Sequence, residues 1–108
     1  MSEVVVVLST VPDDAAAETI ARALVEERLA ACVNVLAPMT SIYRWKGAVE
    51  RDTERQLVMK TTRDRVPALE ARLTALHSYE LPELIVLAAN GGHADYLAWV
   101  AREVRDDG

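Results

Sequence analysis

Short apolar runs alternate with amphipathic stretches along this chain, and the pattern predicts an α+β fold. Residues 4–8 form an unbroken run of valines and leucine, which is typical of a central strand buried on both faces. Residues 14–29 then carry apolar side chains at helical spacing, after acids that favour the start of a helix. A second apolar run, residues 32–36, predicts the next strand.

The middle of the chain has the pattern of a β-hairpin. Pro38 interrupts the second strand, which indicates a sheet edge or a bulge, and strand residues resume at 40–45. Gly47 begins a turn, residues 50–54 are polar, and residues 56–61 are expected to form the returning strand.

The second half predicts a helix, a strand and a final helix. The second helix of the chain is expected to be capped by Asp64 and to end near His77, and residues 84–87 are expected to form a buried strand. A turn at residues 90–92 leads into the last helix. The order β-α-β-β-α-β-α predicts one domain over residues 1–108, a ferredoxin-like sandwich with an extra C-terminal helix and an extended hairpin.

This arrangement leaves surfaces that a monomer does not complete. Helices on one face of the sheet leave the other face without a cover in this sequence. Ile42, Tyr43 and Trp45 on the hairpin also lack an obvious partner within the chain. Exposed apolar faces and free strand edges favour association, so we expect an obligate oligomer.

Composition narrows the class of protein. The 108 residues include 17 acids and 12 Lys or Arg, a net charge of −5, which argues against non-specific binding to nucleic acid or anionic membranes. The single cysteine, Cys32, forms no internal disulfide, and no apolar run reaches membrane-spanning length, so we expect a cytoplasmic protein. Nucleophile-elbow, phosphate-loop and zinc-protease patterns do not occur in the sequence, so we expect a binding protein and not an enzyme.

Five collinear segments span nearly the whole chain and carry a family signature. They are LAACVNV at 29–35, SIYRWKG at 41–47, ERQLVMKT at 54–61, HSYELPEL at 77–84 and YLAW at 96–99. Together they resemble the CutA family of divalent-cation tolerance proteins. The resemblance implies a tight homotrimer in which strands of neighbouring subunits pair edge to edge. It also implies a role in tolerance of divalent cations, copper above all, with binding of metal ions.

The same resemblance implies where a metal would bind. The family's copper site is attributed to a cysteine at the end of the first strand and two adjacent histidines at the end of the second helix. Here these positions hold Ser9, Leu76 and His77. His77 is therefore the one metal ligand that the resemblance implies, with copper or zinc as the metal.

Each candidate ligand also has a structural interpretation. His77 at a helix end suits the helix dipole, and His93 after two glycines suits a solvated loop. Cys32 at the start of a strand is either an inert buried thiol or a reactive, metal-binding one.

A set of aromatic and charged residues predicts a cleft between subunits. Aromatic walls with one Lys and one Glu would suit a small anionic or zwitterionic ligand. Alternatively, the aromatics fill the subunit interface and Lys60 pairs with Glu83. The residues are Tyr43, Trp45, Lys60, Tyr79, Glu83 and Trp99.

Three functions follow from these observations. The first is a trimer that binds divalent metal and contributes to cation tolerance. The second, by analogy of fold alone, is a sensor like the trimeric PII signalling proteins, which bind nucleotides and small carboxylates between subunits. The sequence lacks a basic, Gly-rich phosphate cradle, which counts against a nucleotide. The third is a structural trimer that binds another protein and no small ligand.

Overall fold

A computed structural model describes residues 3–105, which form an antiparallel sheet with three α-helices. Residues 1–2 and 106–108 of the predicted domain lie outside the described part. A 3₁₀ turn at Arg63–Arg65 precedes α2. The elements are β1 (Val4–Val11), α1 (Asp14–Glu26), β2 (Cys32–Val35), β3 (Met39–Trp45), β4 (Ala48–Thr62), α2 (Val66–Leu76), β5 (Ile85–Ala88) and α3 (Ala94–Glu103). The predicted α+β class is confirmed.

The strands lie in the order β2-β4-β1-β5, and β3 pairs with the first half of β4. Every pairing is antiparallel. The predicted central position of the first strand is confirmed, since β1 lies between β4 and β5. Its expected burial on both faces is wrong, because burial alternates along the strand. Alternation is the mark of a strand with one face in the core and the other only partly covered.

The hairpin, which we call the arm (β3 and residues 48–54 of β4), is longer than predicted. The polar stretch 50–54 is strand and not connection, since β3 pairs with it from Met39 opposite Glu54 to Trp45 opposite Ala48. It resembled a loop because residues 50–53 are exposed to water on both faces of the projecting ribbon. The connection is two residues, Lys46 and Gly47, with φ of 50° and 84°. Positive φ at both positions is the type I′ turn that matches strand twist.

The first helix is shorter than predicted. Asp13 caps α1, because its carboxylate accepts a hydrogen bond from the Ala16 N–H at 2.9 Å. The helix ends at Glu26 and not at residue 29, since Arg28 adopts a left-handed φ of 59°. The second helix also starts later than expected, at Val66, because Asp64 lies in the 3₁₀ turn.

The main core lies between one face of the sheet and the helices α1 and α2. Every second residue of β1 and of the later half of β4 points into it. Met59 is fully buried there. The largest of its fully buried members are Ile20, Leu24, Leu57, Met59, Leu69 and Leu73.

The opposite face of the sheet, which we call the second face, is covered at one end only. The strand register places Val4 opposite Thr62 on this face, and Thr62 is 4% exposed. Helix α3 contacts β1 and β4. Its buried Val100, and the buried Val104 directly after the helix, do not belong to the main core. We infer that α3 covers the end of the second face that carries Val4 and Thr62. The expectation that this face has no cover within the chain is therefore wrong at that end.

The rest of the second face and the arm expose apolar side chains. Ile85 and Leu87 on β5 are 49% and 48% exposed. Ile42 and Val49 on the arm are 69% and 65% exposed. The arm makes the chain elongated, with extents of 44 × 28 × 23 Å. These side chains form the unfinished surface that the sequence pattern predicts.

The turn of the arm gives a test of backbone conformation. We expect Gly47→Ala to lower the free energy of unfolding by about 1 kcal/mol, because an L-residue is strained at this positive φ. A Cβ at Gly47 would meet nothing within 4 Å, so a steric clash does not contribute. Urea denaturation at fixed protein concentration measures the change.

The matched control is Gly91→Ala, which also points into open space but has no left-handed φ. We expect it to change stability by less than about 0.5 kcal/mol. Equal losses in the two variants would contradict the turn assignment.

Candidate functional site

A groove of about 870 Å³ runs between the arm and the segment 78–85 that leads from α2 into β5. We call it the arm groove. The even positions of β4 face it near the base of the arm, because side chains alternate along a strand. Its polar and aromatic lining consists of Thr10, Ser41, Tyr43, Arg44, Trp45, Glu54, Gln56, Ser78, Tyr79, Glu80 and Glu83.

Two phenol–carboxylate pairs hold tyrosines of the groove, one across it and one within the arm. The Tyr79 hydroxyl donates to Oε2 of Glu54 at 2.6 Å, and Glu54 is 8% exposed. The Tyr43 hydroxyl donates to Oδ2 of Asp52. Asp52 and Glu54 are two residues apart on β4 and therefore face the same side.

Both phenols are held in the neutral form. Burial of the Tyr79 ring, with its hydrogen bond to Glu54, raises the pKa of Tyr79 well above its ordinary value. The hydrogen bond to Asp52 raises the pKa of Tyr43 to about 12. Near neutral pH the two hydroxyls therefore act as hydrogen-bond donors to carboxylates.

Gln56 fixes a third carboxylate at the inner end of the groove. Its Nε2 donates to the Ser9 carbonyl oxygen at 2.6 Å and to Oε2 of Glu83 at 3.0 Å. Both amide hydrogens are thereby used, and Glu83 is held against β4. The groove thus presents oriented carboxylates beside aromatic rings.

His77 is held by two hydrogen bonds. Its Nδ1 accepts from the Tyr79 backbone N–H at 3.1 Å, so the ring proton lies on Nε2, which donates to the Thr10 carbonyl oxygen at 2.7 Å. The His77 ring also lies 4.6 Å from the Tyr79 ring, centroid to centroid. A metal ion at His77 would have to replace one of these bonds.

The three positions implied by the resemblance do not fit a copper centre. Ser9 is fully buried on the core face opposite Leu57, and its Oγ has no hydrogen-bond partner within residues 3–105. Leu76 offers no donor atom, and both ring nitrogens of His77 are engaged. In the described part of the chain no three His, Cys, Asp or Glu side chains are placed to hold a metal ion.

The predicted cleft residues separate into three places. Tyr43, Trp45, Tyr79 and Glu83 line the arm groove. Lys60 lies on the second face, where its ammonium donates to Oδ1 of Asn34. Within one chain it therefore does not pair with Glu83. Trp99 lies on α3, with its ring 5.5 Å from that of Tyr96.

The remaining candidates lie away from the groove. Cys32 pairs with Lys60 across β2 and β4, and its thiol donates to Oδ1 of Asn34 at 3.8 Å. It is partly exposed on the second face. His93 occupies the cap position before α3, and its side chain makes no capping hydrogen bond.

Glu54 and Gln56 were not predicted as site residues. Glu54 and Gln56 have even numbers, as Asp52 has, and therefore lie on the same side of β4. The sequence shows this shared side only once Trp45 is known to pair with Ala48, because that pairing fixes the register of the arm.

Comparison with known proteins identifies the family. The family model described as CutA1 divalent ion tolerance protein matches residues 5–103. The chain belongs to the CutA1 family. It is 53% identical over 95 residues to the divalent-cation tolerance protein CutA of Thermus thermophilus, covering 88% of this chain and 92% of that protein. The CutA protein of Pectobacterium atrosepticum is 42% identical, covering 97% of this chain and 96% of that one.

Solved CutA1-family structures share the fold. The crystal structure of CutA from Xylella fastidiosa superimposes with a TM-score of 0.93 at 46% sequence identity, covering 96% of this chain and all of that one. The resemblance to CutA stated from the sequence is thereby confirmed. None of the helices within residues 3–105 has the length and apolar character needed to cross a membrane.

The unpartnered hydroxyl of Ser9 gives a second test. We expect Ser9→Ala to leave the free energy of unfolding unchanged or to raise it by up to about 1 kcal/mol, because it removes a buried polar group without a partner. Calorimetric titration with copper should be the same in the variant and the parent protein.

Thr61→Val is the control, since the Thr61 hydroxyl is equally buried but donates to the Leu29 carbonyl oxygen at 2.7 Å. We expect it to lower stability by about 1 kcal/mol. A large loss of stability, or of copper binding, in Ser9→Ala would contradict the assignment.

The raised phenol pKa values predict a loss of stability at alkaline pH. An unfolded tyrosine ionises near pH 10. The pKa of Tyr43 is raised to about 12 in the folded chain. The stability that its hydrogen bond contributes is therefore fully present below about pH 10 and is lost as the pH rises through the pKa of the folded state. Tyr79, whose pKa is raised further by burial, adds to the same loss.

We expect Tyr79→Phe to flatten the fall in stability between about pH 10 and pH 12, measured by urea denaturation at each pH. Ultraviolet titration of phenolate should show one fewer late-titrating tyrosine. An unchanged alkaline limb in Tyr79→Phe would contradict the hydrogen bond to Glu54.

Proposed function

We propose that this chain is the ferredoxin-like subunit of a homotrimer that acts in tolerance of divalent cations as a binding protein and not as a catalyst. Membership in a family named for this tolerance supports the role. The observation that carries the assembly is the unfinished surface made by the second face and the arm.

The strand order supports the ferredoxin-like part of the proposal. In that arrangement two β-α-β halves interleave, so that the first strand is central and lies beside the last strand and the returning hairpin strand. The order β2-β4-β1-β5 has this form when β2 and β3 are treated as one strand interrupted at Pro38.

Free strand edges support assembly. Within the described residues, β2 and β5 are the outer strands of the main sheet, and each is four residues long. A short outer strand beside half-exposed Ile85 and Leu87 offers both backbone groups and apolar area to a neighbour. A second and third copy of the chain would cover what one copy leaves open.

Copper or zinc contact at His77 stays a prediction. The positions of Ser9 and Leu76 do not supply the other ligands, so we propose tolerance without a three-ligand centre of that design within one chain. The cytoplasmic location is part of the same proposal, supported by Cys32, which forms no disulfide within the chain.

A second candidate function is recognition of a small ligand, as in a sensor. The arm groove favours it, because its volume of about 870 Å³ lies within the range of small-molecule sites and its polar groups are held in place. This function does not exclude the first, since a ligand in the groove would be held by the same subunits.

The assembly can be tested at Leu87. We expect the parent protein to scatter light as three chains, and Leu87→Glu to give monomers, because a carboxylate would be placed in the apolar interface. In a strain that lacks its own copy, the variant should also fail to restore growth at raised copper concentration.

The control is Val25→Glu, which puts the same charge on α1, away from the second face, where Val25 is 41% exposed. It should stay trimeric and restore growth. A parent protein that is a stable monomer at micromolar concentration would refute the assembly. A monomeric Leu87→Glu that restores growth would separate tolerance from assembly and refute their link.

A further inference from the structure

The arm groove carries an excess of negative charge. Its lining includes the carboxylates of Glu54, Glu80 and Glu83 against the single guanidinium of Arg44. Glu54 is 8% exposed, and no basic side chain of residues 3–105 pairs with it. Buried carboxylates are ordinarily matched by a positive group or several donors. Here Tyr79 supplies one donor, to one of the two carboxylate oxygens.

Lys60 does not supply the missing positive charge. It was the residue that favoured an anionic or zwitterionic ligand, and it lies on the second face, bound to Asn34. The inner part of the groove therefore combines carboxylates with aromatic rings and lacks an ammonium of its own. This composition favours a cation.

The rim of the groove shows the expected contact with one of the chain's own groups. The Lys46 ammonium lies 5.5 Å from the centre of the Trp45 ring and 3.6 Å from Oε2 of Glu80. An ammonium between an aromatic face and a carboxylate is the recognition mode of an organic amine. At this exposed position the contact is weak. At Glu54, which is 8% exposed, a bound ammonium would displace water, and the same contact would be stronger.

We propose that the arm groove binds a small aliphatic amine in its ammonium form. One ammonium contacts the free oxygen of Glu54, and the methylene chain lies against the rings of Tyr43 and Tyr79. Glu83, held in place by Gln56, receives a second ammonium of a diamine. The inference rests on the second candidate function, recognition of a small ligand, and names the ligand class.

An organic cation fits this groove better than a metal ion. Metal sites need three or more ligands converging on one point, and no such group occurs among the described residues. The aromatic rings offer no metal ligands, yet they provide a surface for methylene groups and attract ammonium. Each tyrosine hydroxyl already donates to one carboxylate oxygen. An ammonium can donate to the other oxygen without breaking that hydrogen bond, and it also compensates the negative charge.

The test is calorimetric titration of the intact, purified protein with putrescine, at a salt concentration low enough to limit screening. Butanediol serves as the neutral analogue, and citrate, ATP and zinc serve as the anionic and metallic alternatives. We expect saturable binding of putrescine and none of butanediol. Glu54→Gln should weaken putrescine binding by about tenfold or more, because it removes the charged partner of the ammonium.

Glu70→Gln is the matched control, since Glu70 is exposed on α2 and outside the groove lining. It makes the same change of charge and should alter the affinity by less than about twofold. Glu83→Gln is the second variant, so that a folding defect in Glu54→Gln, detected by circular dichroism, does not end the test. Glu83→Gln should also weaken the binding of putrescine, and it should weaken the binding of a monoamine less.

The outcomes separate the two proposals. Absence of putrescine binding, or equal affinity in the Glu54 and Glu83 variants and the parent, would overturn the amine inference. If citrate or ATP binds and putrescine does not, the ligand class is wrong while small-ligand recognition stands. If no tested ligand gives heat, both fail.

Discussion

The register of β4 is the constraint on which the rest of the structure depends. This strand of 15 residues pairs with β1 and β2 over its second half and with β3 over its first. Because side chains alternate, one register sends Leu57 and Met59 into the core and Val58 and Lys60 to the second face. A slip of one residue would exchange the two sets and bury a lysine.

The same register builds the arm groove. Continuing along β4 beyond the main sheet, the even positions Asp52 and Glu54 meet the phenols of Tyr43 and Tyr79. The core and the groove therefore depend on the register of the same strand. A change in the pairing of β4 with β1 would displace the carboxylates that the two phenols bind.

Sequence patterns predicted the parts of the fold that rest on local chemistry. The apolar run of β1, the cap at Asp13 and the turn at Gly47 each have a local cause. The length of the arm does not, because residues 50–54 are all polar and carry no alternation of apolar and polar positions. Cover of the second face by α3 also depended on where the chain turns after β5, which no residue pattern states.

The candidate site was predicted to a similar extent. Four of the predicted residues line one groove, because they lie on the arm and on the segment opposite it: Tyr43, Trp45, Tyr79 and Glu83. Lys60 does not join them, because the alternation of side chains along β4 places it on the second face. His77 was predicted as a helix-terminal residue or a ligand, yet it bridges the Thr10 carbonyl and the Tyr79 N–H, a role that depends on distant backbone groups.

The arm consists of two strands only, and its local stability follows from that. A two-stranded ribbon is marginally stable alone in water, so in an isolated chain the arm should exchange its amide hydrogens long before the four-stranded sheet opens. Neighbouring copies packed on the arm would slow that exchange, which makes hydrogen exchange in the ribbon a local report on assembly.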